Sequence, residues 1–248
     1  MRTDLADVGD EGEKNSSDGV HVADAVARVC ERIARAAERA GKQSSDVTLI
    51  AVTKTVSVSS VLAAVNAGVT HFGENYVQEA RAKVDEVNAK VKEALVWHFI
   101  GQLQSNKAKY VTPLFDVVQT IDRVSLAEEL NKQATKSGKK QSVLIEVNLT
   151  EETHRGGVAP EQLPELVAQT TELPSLRLSG LMGVPPAMDT AEQARVHFAH
   201  LRKLWDGLPE ESRRILSMGM SGNFEQAIEE GATHVRLGTA LFGSRNKG

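Results

Sequence analysis

The chain of 248 residues has a single cysteine, Cys30. No disulfide can form within it, which excludes a disulfide-stapled secreted scaffold and favours a reducing compartment. Cys30 falls in a helical apolar pattern and reads as a buried thiol. Aromatic residues make up only 4% of the chain against 41% hydrophobic residues, so the core must be Val, Leu, Ile and Ala. That composition suits parallel strands covered on both faces. No run reaches the roughly 18 apolar residues of a membrane span, and no apolar leader opens the chain. A soluble, cytoplasmic protein is expected. There is no excess of positive charge, with 29 Lys and Arg against 33 Asp and Glu. Six acids and two bases lie in residues 1–18, which leaves 27 of each sign in the rest. A neutral body argues against nucleic acid or an anionic membrane as the main partner.

Residues 1–18 are polar and acidic and read as a disordered tail, followed by one folded unit over 19–248. A helix starts at Ser17 or Asp18, carries Val22, Val26, Val29, Ile33, Ala36, Ala37 and Ala40 at helical spacing, and ends at Gly41. Strand-like apolar runs then appear at 47–54, 69–73, 96–101, 117–121, 143–148, 176–182, 214–220 and 234–242. Helical patterns fill the intervals at 57–67, 75–92, 104–110, 124–137, 160–171, 189–206 and 222–230. Eight strands alternating with helices give a single (β/α)8 TIM barrel with an additional N-terminal helix. An open doubly wound sheet is the alternative. It usually carries a glycine fingerprint after its first strand, where this chain has Lys54-Thr55-Val56-Ser57.

The barrel places its active site at the C-terminal strand ends, and Lys54 closes the first strand. A lysine there is either solvated at the rim or directed into a pocket, where burial lowers its pKa and allows it to hold an aldehyde as a Schiff base. Further polar residues share strand faces by parity: His98 on strand three, Glu146 and Asn148 on strand five, Ser217, Gly219 and Ser221 on strand seven, and His234, Arg236 and Gly238 on strand eight. The segment from Ser217 and Met218 through Asn223 leads into a helix, and Arg236-Leu237-Gly238-Thr239-Ala240 is a second small-residue turn. Phosphate often sits between the loops after strands seven and eight of such barrels. A Schiff-base lysine with a phosphate cradle opposite fits pyridoxal 5′-phosphate (PLP). Arg236 is the candidate for its ring nitrogen, the alternative being a structural ion pair with Glu146.

Six strings stand in order along the chain: Ala51-Val52-Thr53-Lys54, Phe72-Gly73-Glu74-Asn75-Tyr76-Val77-Gln78-Glu79, residues 97–107 from Trp97-His98-Phe99, Gly180-Leu181-Met182, Ser217-Met218-Gly219-Met220-Ser221, and residues 236–243. Together they closely resemble the pyridoxal phosphate homeostasis protein family over residues 20–245. The resemblance implies a barrel similar to the N-terminal domain of alanine racemase, the fold-type III PLP architecture. It implies PLP on Lys54, phosphate near Ser221, Gly238 and Thr239, Arg236 at the pyridine nitrogen, and Asn75 and strand-seven residues lining the pocket. It also implies a PLP carrier or regulator without catalytic turnover, with PLP-dependent apo-enzymes as receivers; a monomer is expected. Two positions depart from the family pattern. Asn223 stands where many relatives have aspartate, and Arg155 where a loop lysine is common. A PLP racemase or decarboxylase and a Schiff-base aldolase are the competing readings. Racemisation needs a second acid/base opposite the lysine, and the only tyrosines are Tyr76 and Tyr110. For an aldolase, Glu146 is the one inward carboxylate.

Overall fold

A computed structural model describes residues 10–150, 152 and 155–243. Its eight strands are β1 (Thr48–Val52), β2 (His71–Glu74), β3 (Val96–Phe99), β4 (Val117–Ile121), β5 (Gln141–Asn148), β6 (Leu176–Val184), β7 (Ile215–Ser217) and β8 (His234–Leu237). They close into a barrel in sequence order, each parallel to its neighbours, with β1 completing the ring against β8. The α-helices are α1 (Asp10–Arg39), α2 (Val58–Asn66), α3 (Val77–Lys90), α4 (Ala108–Val111), α5 (Val124–Lys136), α6 (Leu163–Thr171), α7 (Arg195–Asp206), α8 (Phe224–Glu229) and α9 (Thr239–Phe242). This is the (β/α)8 barrel with an added N-terminal helix.

The two-residue period of each strand separates two cores. Outward residues such as Ala51, Phe72, Trp97, Phe99, Val143, Ile145, Leu216 and Val235 pack in one continuous strand–helix layer. Burial of each larger side chain there stabilises the fold by about 1.5–3 kcal/mol. Inward residues form a small apolar plug of Val117, Leu144 and Met182, flanked by Val96, Val184 and Ile215. The rest of the barrel interior is largely polar, as the parity of strands five and eight implies.

Helix α1 lays Val22, Val26, Val29, Ile33, Ala36 and Ala37 against the body, all buried. It meets α2, α8 and α9, and Arg32 stacks 4.6 Å from the centroid of the Phe224 ring. Cys30 is exposed, contrary to the expected buried thiol. Val29 takes the buried position on the stripe, and the next residue turns outward by one helical step. The helix also starts at Asp10, well before Ser17. Glu11, Glu13 and Lys14 have high intrinsic helix propensity, which a reading by polarity alone undervalues. Residues 1–9 of the expected tail lie outside the described residues.

Two strands are shorter than their apolar runs. β7 stops at Ser217, because Gly219 adopts a φ of +89° and turns the chain. β8 stops at Leu237, and residues 239–242, expected as strand, coil into α9. Among the described residues no helix is long and apolar enough to cross a membrane. No group of His, Cys, Asp and Glu among them could hold a metal ion.

Candidate functional site

The mouth of the barrel is built from the turns that follow β1, β7 and β8. Lys54 lies two residues past β1, on the inward parity of Ile50 and Val52, and is half-buried. With Thr55, Ser57, Ser60, Gly238 and Thr239 it lines a cavity of about 250 Å3. Ser57 caps α2 by accepting from the Ser60 amide at 3.2 Å. Lys54, Gly238 and Thr239, singled out separately along the chain, therefore face one space.

The turns after β7 and β8 are joined. Ser221 Oγ accepts from the Ala240 amide at 3.2 Å, which ties the first turn to the start of α9. The first amides of a helix have no intrahelical acceptor and are ready donors to an anion. Ala240 is served by Ser221, and no described residue accepts from the Thr239 amide, which adjoins the cavity. Gly219 is required in this turn: besides its left-handed φ, a Cβ there would lie 2.6 Å from the Ala227 side chain. Asn223 precedes α8, and its Oδ1 accepts from the Met220 amide at 2.9 Å. The side chain thus supplies the acceptor an aspartate would supply, without the charge.

Arg236 is buried, with two of its donors spoken for. Nη1 donates to Ser217 Oγ at 2.7 Å and Nη2 to the Gly183 carbonyl at 3.0 Å. Ser217 donates on to Gln119 Oε1 at 2.7 Å, the Gln119 amide donates to His98 Nδ1 at 2.9 Å, and His98 Nε2 pairs with His71 Nδ1 at 3.0 Å. Only one direction satisfies every member, since guanidinium and amide nitrogens cannot accept. It fixes His98 as the neutral Nε2–H tautomer, and burial among His234, His71 and Arg236 pushes its pKa well below the ordinary histidine value. His234 is pushed down to about 3 by burial, then by His71 and Arg236. The chain of dipoles spreads the arginine charge into the barrel. Glu146 is not hydrogen-bonded to Arg236, so the ion-pair alternative gives way to this network. Burial lowers the Arg236 pKa to about 10, with Glu146 opposing it from a distance.

Glu146 lines a separate cavity of about 380 Å3 with Gln102, Asn148 and Arg155. Burial, and then Asp122, push its carboxyl up to about 7, against the pull of Arg236 and Arg155. The folded carboxyl therefore holds its proton more tightly than the unfolded one. Stability falls as pH rises from about 4.5 through about 7, and the loss is complete above that range. Glu146→Gln, which removes the ionisation, should match the wild type at pH 4.5 and exceed it at pH 8.5 by roughly 1–3 kcal/mol in urea denaturation. Equal stabilities at both pH values would contradict this account of Glu146.

Of the nine candidate PLP residues only Lys54, Gly238 and Thr239 line this cavity; Ser217 and Arg236 are buried in the barrel interior, Ser221 braces the start of α9, and three more stand apart. Met218 falls on the outward parity and is buried in the strand–helix layer. His98 is fully buried in the barrel interior and reaches Arg236 only through Gln119 and Ser217. Asn75, just past β2, lines a groove of about 580 Å3 with Tyr76 and Tyr110, and its Oδ1 is buried without a partner.

A cluster that the sequence reading missed lies behind Lys54. Lys83 of α3 is 7% exposed and donates to Glu74 at 2.8 Å, to Glu79 at 2.7 Å and to the Thr53 carbonyl at 2.5 Å. The available signal was a lysine set into the apolar stripe of Ala80, Val84 and Val87, four residues after a glutamate.

Residues 25–246 match the family model for the N-terminal domain of alanine racemase, the class of protein to which this barrel corresponds. A pyridoxal phosphate homeostasis protein of Aquifex aeolicus is 45% identical over 223 residues, 89% of this chain and 96% of that protein. One of Pseudomonas aeruginosa is 44% identical over 229 residues, 92% and 97% of the two chains. PipY of Synechococcus elongatus, solved with PLP bound, superposes with a TM-score of 0.74 at 37% identity, over 80% of this chain and 93% of that one. The chain belongs to the pyridoxal phosphate homeostasis protein family.

Proposed function

We propose that this protein binds PLP as a Schiff base on Lys54 and acts in PLP homeostasis as a carrier that turns over no substrate. The observation that carries the proposal is the composition of one cavity. An amine stands on its β1 side and the open start of α9 on its β8 side, and none of its described lining residues is a His, Asp, Glu, Tyr or Cys. When bound, PLP supplies an aldehyde that condenses reversibly with a primary amine and a phosphate that accepts several hydrogen bonds.

The chain's own residues fit that group. Lys54 offers the amine. The Thr239 amide and hydroxyl, beside Gly238, offer donors to a phosphate, and Ser221 holds the start of α9 in place. Arg236 sits two residues before Gly238 on the same inward parity and is the residue proposed to face the ring nitrogen, with Ser217 fixing its guanidinium. A permanent donor there keeps the ring nitrogen unprotonated and a weak electron sink, which suits holding over turnover. His98 acts through Gln119 and Ser217 on Arg236. Asn75 lines its own groove and Met218 lies in the strand–helix layer, so neither is assigned a contact with PLP. PLP-dependent apo-enzymes as receivers, a monomeric state and a cytoplasmic location belong to the same proposal.

The test is to load the protein with PLP and incubate it with L-alanine, following D-alanine by chiral chromatography. The expected result is stoichiometric PLP uptake with D-alanine no higher than free PLP produces. Sustained formation of D-alanine above that level would reverse the non-enzyme reading.

A further inference from the structure

Lys54 sits in a turn whose two flanks are tied to α3. Ahead of it, the Thr53 carbonyl accepts from Lys83 Nζ at 2.5 Å, and Thr53 Oγ1 donates to Glu74 Oε1 at 2.7 Å. Behind it, the Thr55 amide donates to Glu79 Oε1 at 2.5 Å. Lys83 joins the two carboxylates, so a single ionic cluster fixes residues 53 and 55 and leaves Lys54 between them. Neither Lys83 nor Glu79 lines the cavity that Lys54 enters.

The turn needs such a hold. Thr55 has a φ of +61°, and no other non-glycine described residue has a positive φ. A β-branched residue in the left-handed region is strained and persists only where its surroundings impose it. Here the imposing group is the Glu79 carboxylate on the Thr55 amide, and Glu79 is itself held by Lys83 four residues along the helix. A lysine buried on a helix stripe is costly unless its charge is used. The hydrogen bonds of Lys83 to the Thr53 carbonyl, Glu74 and Glu79 all lead to the Lys54 turn or to the carboxylates that grip it.

We propose that Glu79, backed by Lys83, is a positioning residue for Lys54: it holds the Thr53–Thr55 turn in the conformation that delivers the Lys54 amine into the cavity beside Gly238 and Thr239. A group held in place before the ligand arrives spares the ordering that binding would otherwise require. The proposal rests on the reading that PLP is attached at Lys54.

The experiment compares wild type, Glu79→Ala and Glu79→Gln. Glu79 is in the first turn of α3 with a side chain 29% exposed, so both variants should fold. Glutamine keeps an oxygen for the Thr55 amide and loses only the charge. Two quantities are measured: hydrogen exchange of the Thr55 amide in PLP-free protein, and PLP affinity by absorbance titration. Glu79→Ala should exchange that amide at least about tenfold faster and bind PLP about tenfold more weakly, as expected for one charge-assisted hydrogen bond. Glu79→Gln should recover most of both. Unchanged PLP affinity in Glu79→Ala, an unchanged Thr55 amide, or equal losses in the two variants would each overturn the proposal. Borohydride reduction of wild type separates the two levels. PLP fixed on a lysine other than Lys54 brings down the functional reading and this proposal with it. PLP fixed on Lys54, with Glu79→Ala loading as tightly as wild type, brings down this proposal alone.

Discussion

Lys54→Ala should lose the visible absorbance band of the PLP-loaded protein entirely and bind PLP at least about a hundredfold more weakly, because the tethering bond itself is gone. The fold should survive the substitution. The ties of the turn run through Thr53 and Thr55 and survive the substitution. Lys54→Arg is the sharper control. It keeps a long cationic side chain in the cavity, yet arginine forms no comparable Schiff base, so it should also lack the band. A Lys54→Ala protein with the full band would show that the amine lies elsewhere.

Lys83→Met should cost about 3–5 kcal/mol of folding stability, the usual penalty for removing one partner from a buried ionic contact. The affected group is Glu74, fully buried, with Oε1 bonded to Lys83 and Thr53. Burial already raises its pKa, and Lys83 and Thr53 pull it back down. Without the lysine the carboxyl rises further, so the folded state takes up a proton that the unfolded state releases. The variant should therefore be least stable at high pH and recover as pH falls, so the deficit in urea denaturation should be larger at pH 8 than at pH 6. The double variant Lys83→Met/Glu74→Gln, neutral at both positions, should regain much of the loss. A deficit under about 1 kcal/mol in the single variant would mean that the cluster is far more hydrated than its burial indicates.

The barrel was legible because its signal is local and repeated. Each strand is a short apolar run beside a helix-period pattern, and parity alone grouped Glu146 with Asn148 and Arg236 with Gly238. Strand ends were legible less well. Leu237-Gly238-Thr239-Ala240-Leu241-Phe242 alternates and is apolar enough to pass for strand, and a four-residue helix offers no period to read. The two turns proposed to receive phosphate are marked in the sequence by their small residues, and the structure joins them through Ser221 and Ala240. Met218 was drawn into the candidate set by the string that contains it, while its parity sends it into the strand–helix layer. His98 was seen as polar amid bulk, but the group that connects it to Arg236 is Gln119, an unremarked residue of the apolar run Val117-Val118-Gln119-Thr120-Ile121. The cluster behind Lys54 was least legible, since it brings together β1, β2 and α3. No window of sequence contains that contact, although Lys83 on an apolar stripe announces that something must receive its charge.

Attachment of PLP at Lys54 is tested by loading the wild-type protein with PLP, reducing it with borohydride, digesting it and mapping the phosphopyridoxyl group by mass spectrometry. One modified peptide is expected, the one containing Lys54, at close to one group per chain. Modification of another lysine, or none after full loading, would contradict that attachment.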